Sequence, residues 1–256
     1  MHALLAMPAL LPSLLVFLKY PAAGKVKTRL GAAVGFQEAA ALYRTWIDRL
    51  LQNIQPLRRQ ARLIALYDGA PWEDFAPWHH LCDLWWVQKS GPLGERLAAA
   101  FQQAYLLAQK EAPLPSDLPS VSNSAALEQL HGGAVETASS LELSKHFPVC
   151  AIGTDCLELD VPLLQKSFEL LQQYDVVIGP SFDGGYYLIG TASFRPRLFD
   201  NIRWSSRWTL EDQVQQCRIL GCSVAYLPPR WDIDTLEDWQ AYCQRCQSSA
   251  SQGTPS

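Results

Sequence analysis

Lys19, Lys25, Lys27 and Arg29 fall within eleven residues of the stretch KYPAAGKVKTRL, beside Pro21 and Gly24. Ammonium and guanidinium groups neutralise phosphate oxygens, the guanidinium in bidentate fashion, and glycine lets backbone approach a ligand closely. The stretch is not a Walker A loop, because Gly24-Lys25 runs on into Val26 and no glycine stands five residues before Gly24. A solvated basic turn is the bland alternative. Its place directly after an apolar run, in an acidic chain, favours phosphate binding.

Carboxylates supply the second kind of chemistry. Asp155, in IGTDC, follows an apolar run and a small Gly-Thr turn. A carboxylate fixed there suits Mg²⁺ or Mn²⁺, which prefer oxygen ligands and bridge diphosphate oxygens. Asp155 could instead cap the next helix, but Asp160 is the better cap because Val161-Pro162 follows it. Asp232 and Asp234, in the sequence DID, share one side of an extended segment, so they could join Asp155 on one metal; alternatively one of them caps the helix after them. Asp183-Gly184-Gly185 is a turn signal before the strand-like YYLIG. Either it is a plain hairpin, or its glycines let backbone approach a ligand that Asp183 or Tyr186 contacts. Trp204 and Trp231 flank these stretches, and in a chain of nine tryptophans core packing is their default role.

The elements that must position these groups alternate. Apolar runs at 13–19, 62–67, 84–88, 148–153, 175–179 and 223–227 read as strands, the first as a strand covered on both faces. Helical spacing appears at 36–54, 94–109, 161–173, 208–220 and 235–247. That order predicts an α/β fold with a mainly parallel, doubly wound sheet, whose ligands sit outside the carboxyl ends of the strands. The polar residues singled out above, with the 91–96 segment, fall repeatedly at those ends.

Size and charge bound the rest. A chain of 256 residues, 48% hydrophobic, fits one large α/β domain spanning 1–256. A net charge of −4 argues against nucleic acid or anionic membrane as partner, and leaves the basic loop to a small anionic ligand. Seven scattered cysteines, an odd number, fit a reduced cytoplasmic setting. Cys243 and Cys246 make a lone CxxC on a helix, read as two thiols on one face. The apolar N-terminus lacks a positive start, and Pro8 and Pro12 break it, so neither a secretory signal nor an integral membrane segment is expected. Residues 112–145 hold three prolines, many serines and a Gly-Gly, the composition of a flexible insertion; 248–256 reads as a disordered tail.

Five stretches together resemble a known family: KYPAAGKVKTRL (19–30), QKSGPLGER (88–96), GTDCLEL (153–159), DGGYYLIG (183–190) and DIDTLEDW (232–239). In this order they are similar to the DUF2064 proteins, GT-A-fold proteins associated with radical SAM and selenodomain proteins and named as glycosyltransferases. Leu157 stands where that family usually has proline, and the 112–145 insertion is extra. The resemblance implies a Rossmann-like GT-A α/β/α sandwich, the nucleotide-diphospho-sugar transferase fold. It implies a nucleotide-linked small-molecule substrate at Lys19, Pro21, Gly24, Lys25, Lys27, Thr28, Arg29, Gly94, Arg96, Gly184, Gly185 and Tyr186.

On that footing the expected reaction is metal-assisted glycosyl transfer from a nucleoside diphosphate sugar. Asp155, Asp232 and Asp234 would hold Mg²⁺ or Mn²⁺, Lys27 and Arg29 would stabilise the departing diphosphate, and Asp183 would be the general base. The alternative within the fold is nucleotidyl transfer from a triphosphate to a phosphorylated substrate, resembling guanylyltransferases. A third, from another class, is a nucleotide-binding accessory protein without turnover. Base, sugar, acceptor and oligomeric state are not legible in the sequence.

Overall fold

The computed structural model describes residues 10–111 and 146–251, so both the 112–145 insertion and the last five residues lie outside the described residues. Seven strands form one sheet: β1 (Ser13–Lys19), β2 (Arg62–Asp68), β3 (Leu84–Val87), β4 (Val149–Ile152), β5 (Val176–Pro180), β6 (Tyr186–Thr191) and β7 (Val224–Tyr226). Their order is β3-β2-β1-β4-β6-β5-β7. Among the described strands only β6 runs antiparallel to its neighbours, β4 and β5. The mainly parallel α/β sheet predicted from the alternating pattern is therefore present.

Among the described residues six α-helices accompany the sheet: α1 (Thr28–Val34), α2 (Phe36–Asn53), α3 (Leu93–Glu111), α4 (Val161–Leu170), α5 (Thr209–Ile219) and α6 (Leu236–Ser251). The continuous apolar run of β1 is explained by burial on both faces. Leu14, Val16 and Leu18 join one core with Trp46, Ile47 and Leu51 of α2 and Leu164 of α4. Leu15 joins the other, with Leu97, Phe101 and Ala104 of α3 and Cys217 of α5. With a side-chain period of two, such a strand has no polar face. The result is a three-layer α/β/α sandwich.

Local signals set the element ends. Asp160 caps α4, its carboxylate accepting from Leu163 N at 2.9 Å, with Pro162 in the first turn as the sequence predicts. The helix stops at Leu170, three residues short of expectation. α6 runs on to Ser251, past the 235–247 expected, so 248–251 are helical rather than a tail. α1 was not anticipated, because Gly31 and Gly35 make its sequence look like loop. Gly31 is a packing residue: a Cβ there would lie 2.6 Å from the Phe36 ring. Two 3-10 segments, Gln55–Arg59 and Trp72–Leu81, also escaped the pattern.

The chain goes from β1 outward through β2 and β3, then returns to place β4 on the other side of β1. Loops diverge at such a switch point, and a crevice opens beyond the strand ends. Because β6 is antiparallel, its first residue, Tyr186, lies at this same edge. No described helix is long and apolar enough to cross a membrane.

Candidate functional site

Lys27 is the organising residue of the crevice. It precedes α1 in the left-handed region (φ 46, ψ 46), a conformation that costs a non-glycine residue about 1 kcal/mol and often marks functional loops. Its Nζ donates to Ile233 O at 2.6 Å and lies 2.8 Å from Asp155 Oδ1 and 3.5 Å from Asp234 Oδ1. Its side chain is only 4% exposed. One hydrogen bond and two carboxylates thus surround the ammonium. The sequence points to Lys27 as a phosphate contact; in the structure it borders neither cleft and ties β1's loop to the turn after β4 and to the DID segment.

The same three stretches are stitched by backbone and hydroxyls. Ile233 N donates to Asp155 O at 3.0 Å. Thr154, fully buried, bonds Tyr43 OH at 2.6 Å, and Tyr43 OH accepts from Lys19 N at 3.4 Å. Burial, then the nearby Asp155 charge, pushes the Tyr43 hydroxyl's pKa well up, so it stays a neutral phenol. Arg29 Nη1 donates to Asp234 Oδ2 at 3.0 Å, while its side chain remains 74% exposed.

Asp232 lies deeper. Its Oδ2 accepts from Ser181 Oγ at 2.7 Å, and its Oδ1 is buried with no partner. Burial raises its pKa to about 7; the Asp155 and Asp183 charges add to this, against the Ser181 hydroxyl and Lys27. Asp238 differs. Burial alone would raise its pKa, but the Thr235 hydroxyl and the backbone N–H groups of Thr235 and Asp234 hold it below the usual value.

Two clefts meet at these carboxylates, sharing Leu93, Asp155, Tyr186 and Asp232. The smaller, about 300 Å³, lies over the ends of β1 and β4 and is walled by Lys19, Tyr43, Gln88 and Arg96. The larger, about 710 Å³, opens toward Asp183, Arg207, Phe182 and Trp231. Asp183 Oδ1 accepts from Gly185 N at 2.8 Å, closing a tight turn. β5 and β6 are joined through this turn, as the hairpin reading of DGG expects, and Asp183, Gly185 and Tyr186 line the larger cleft. Gly184, at φ 90, lies where a Cβ would come 2.2 Å from Arg207 O, and its own carbonyl accepts from Leu210 N. Only glycine lets the turn lie against the segment before α5.

The predicted site residues do not all converge. Lys19, Arg96, Arg29, Asp155, Asp183, Gly185, Tyr186, Asp232 and Asp234 line one cleft or both. Lys25 and Thr28 are exposed and border neither, and Gly24 (φ 72) serves the turn between β1 and α1. Pro21 precedes that turn and is half-buried. Gly94 borders neither cleft and packs closely: a Cβ there would lie 2.7 Å from Trp204 Nε1. Core packing is the default expected of Trp231, but it is 43% exposed and lines the larger cleft. Cys243 and Cys246 are free thiols on α6.

Sequence reasoning missed Gln88, Tyr43 and Arg207. Gln88 is buried, its Nε2 donating to Leu18 O at 3.0 Å and Leu66 O at 2.8 Å. A polar residue closing the apolar run LWWVQ was the available hint. Arg207, in WSSRW, lies on the Trp208 ring at 4.5 Å; next to it Ser205 adopts φ 55. Nothing in the spacing of that stretch announced a cleft wall.

Among the described residues no three His, Cys, Asp or Glu side chains stand as a ready-made metal cage. Lys27 holds one oxygen each of Asp155 and Asp234 and Arg29 holds the other oxygen of Asp234, so both Asp234 oxygens are engaged and the expected trio does not serve one ion as it stands. The unpartnered buried Oδ1 of Asp232, near the partly exposed Asp155, does fit a hard cation whose other ligands are substrate oxygens.

An open, mainly parallel sheet with a cleft at its switch point defines an α/β protein of the nucleotide-diphospho-sugar transferase fold. The chain belongs to the DUF2064 family, described as an uncharacterised protein conserved in bacteria, whose model matches residues 51–206. A solved structure from Desulfovibrio desulfuricans G20, provisionally named a nucleotide-diphospho-sugar transferase, is 31% identical with a TM-score of 0.72. That match covers 94% of this chain and 90% of the other, and so takes in the basic loop and the DID segment. A 4-diphosphocytidyl-2C-methyl-D-erythritol synthase from Anaerococcus prevotii DSM 20548 is 10% identical (TM-score 0.47, covering 91% of this chain and 99% of that one). A cytidylyltransferase from Leptospira borgpetersenii serovar Hardjo-bovis is 11% identical (TM-score 0.46, covering 90% and 84%). These two are too distant to bear on function. No curated protein matches the chain.

Proposed function

We propose that this protein is a glycosyltransferase that takes a nucleoside diphosphate sugar with the help of Mg²⁺ or Mn²⁺. One observation carries the reading: the buried Asp232 carboxylate with an unpartnered oxygen, beside Asp155, at the meeting point of two clefts. Two clefts suit two substrates, a donor and an acceptor. The provisional name of the Desulfovibrio desulfuricans protein supports the same donor class.

Asp155 and Asp232 would hold the cation. When bound, it neutralises diphosphate charge in a partly desolvated site. The smaller cleft takes the nucleotide, with Lys19 and Arg96 on its wall for phosphate oxygens. Arg29 is aimed by Asp234 yet mostly exposed, so its free N–H groups can meet the departing diphosphate. Lys27 positions Asp155 and Asp234 and touches no substrate. Asp183, at the mouth of the larger cleft, receives the proton of the acceptor hydroxyl as it attacks the sugar's anomeric carbon.

Calorimetric titration of uridine, guanosine, cytidine and adenosine diphosphates, with Mn²⁺ and with chelator, tests the donor site. Binding of at least one should weaken about tenfold or more in chelator, and Asp155→Asn should remove the Mn²⁺ dependence with the fold intact. Slow Mn²⁺-dependent hydrolysis of the matching sugar nucleotide should accompany binding. Release of pyrophosphate from a nucleoside triphosphate would replace glycosyl by nucleotidyl transfer. Binding without any turnover, across donors and acceptors, would leave an accessory protein.

A further inference from the structure

The larger cleft has a composition of its own. Five carboxylates (Asp155, Asp183, Asp232, Asp234 and Asp238) line it, against the two guanidiniums of Arg29 and Arg207. Arg29 is held by Asp234 and Arg207 lies over the Trp208 ring, so the acids outnumber the guanidiniums in this cleft. Asp183 has no ion pair among the described residues. On the same wall the Phe182 and Trp231 rings lie with centroids 4.3 Å apart and planes tilted by 30°, Arg245 sits over the Trp231 ring at 5.8 Å, and the two residues remain 52% and 43% exposed. The Phe182 backbone is pinned, its N donating to Arg230 O at 3.1 Å beside the Ser181–Arg230 bridge, and Trp231 follows directly after that bridge. A fixed, half-exposed aromatic pair inside a cleft is a surface waiting for the apolar face of a ring.

We propose that this cleft is the acceptor subsite and that it takes a polyhydroxylated ring bearing no anionic group, laid against Phe182 and Trp231 with a hydroxyl at Asp183. The assignment rests on the donor reading above and extends it to the other substrate. A sugar ring offers C–H groups to the aromatic pair and O–H donors to the carboxylates, which accept and cannot donate while ionised. A phosphate or carboxylate on the acceptor would meet those acids instead. The cation does not rescue it, because the donor's diphosphate brings charge that cancels the metal's. In the transfer, the acceptor oxygen forms a bond to the anomeric carbon. The bond from that carbon to the phosphate oxygen breaks, its electron pair leaves with the nucleoside diphosphate, and the acceptor proton passes to Asp183.

The test uses the full chain with Mn²⁺ and a bound nucleoside diphosphate. Tryptophan fluorescence follows titration with methyl glycosides of common hexoses, their 6-phosphates and the corresponding uronic acids. At least one neutral glycoside should bind with Kd on the order of 1–10 mM, and its 6-phosphate and uronic acid should bind about tenfold more weakly. Trp231→Ala should weaken the neutral glycoside about fivefold or more while nucleoside diphosphate affinity stays unchanged. Asp183→Lys should narrow or reverse the preference against the 6-phosphate, which a merely structural role for Asp183 would not do. A phosphorylated sugar that binds the wild type more tightly than its neutral parent overturns the proposal. So does the absence of any neutral binder to about 50 mM, a range in which weak sugar sites register. Failure of the nucleoside diphosphate itself to bind would sink the donor reading instead, and that is measured first, on its own.

Discussion

Replacement of Asp232 by asparagine should make the metal-free protein more stable at neutral and alkaline pH while ending its use of a cation. The carboxyl lies buried, with one oxygen on Ser181 and the other unpartnered, and its pKa is raised from 3.8 to about 7. A raised folded-state pKa means the folded protein binds this proton more tightly than the unfolded chain does. The contribution is therefore fully present below about pH 4 and is lost as pH rises through about 7. At 1.36 kcal/mol per unit, a shift of about three units corresponds to a loss on the order of 4 kcal/mol, an upper figure because water in the cleft screens the charge. An amide carries no charge to lose. In chelator, Asp232→Asn should match the wild type near pH 4 and exceed it by about 2–4 kcal/mol at pH 8, roughly 5–15 °C in Tm for a chain of this size. Thermal unfolding of both proteins from pH 4 to 8 measures this directly. Parallel pH profiles, with no gap opening between pH 4 and 7, would show that the buried carboxylate is not under charge strain and would remove the main argument for a cation there.

The other expectations concern the scaffold around that carboxyl. Lys27→Met should cost about 2–3 kcal/mol in urea unfolding, because Asp155 and Asp234 lose their shared cation while staying half exposed. Gly184→Ala should cost about 2 kcal/mol or more, since its Cβ would meet Arg207 O and alanine resists φ 90; nucleotide binding in the smaller cleft should suffer less than acceptor binding. Asp160→Ala should lower stability by about 1 kcal/mol through loss of the cap on Leu163 N, with Mn²⁺-dependent nucleotide binding unchanged.

The sequence by itself determined the layers of this protein. Apolar runs such as 13–19 must be buried on both faces, and helices must alternate with them, so an open, mainly parallel sheet follows. It also placed Asp155, Asp183, Asp232 and Asp234 at strand ends, where the switch point gathers them. Local chemistry was legible as well, as at Asp160 and Pro162. What a residue faces was not. Lys27 and Lys25 are two positions apart in one basic loop, yet one is locked among Ile233 O, Asp155 and Asp234 and the other is exposed outside both clefts. Gly94 and Gly184 look alike in a motif, yet one packs under Trp204 and the other shapes the turn against Arg207. Those outcomes depend on partners some 200 residues away for Lys27, about 110 for Gly94 and 23 for Gly184. Periodicity and turn chemistry report on neighbours within a few positions, so only the tertiary contacts could separate a strut from a ligand.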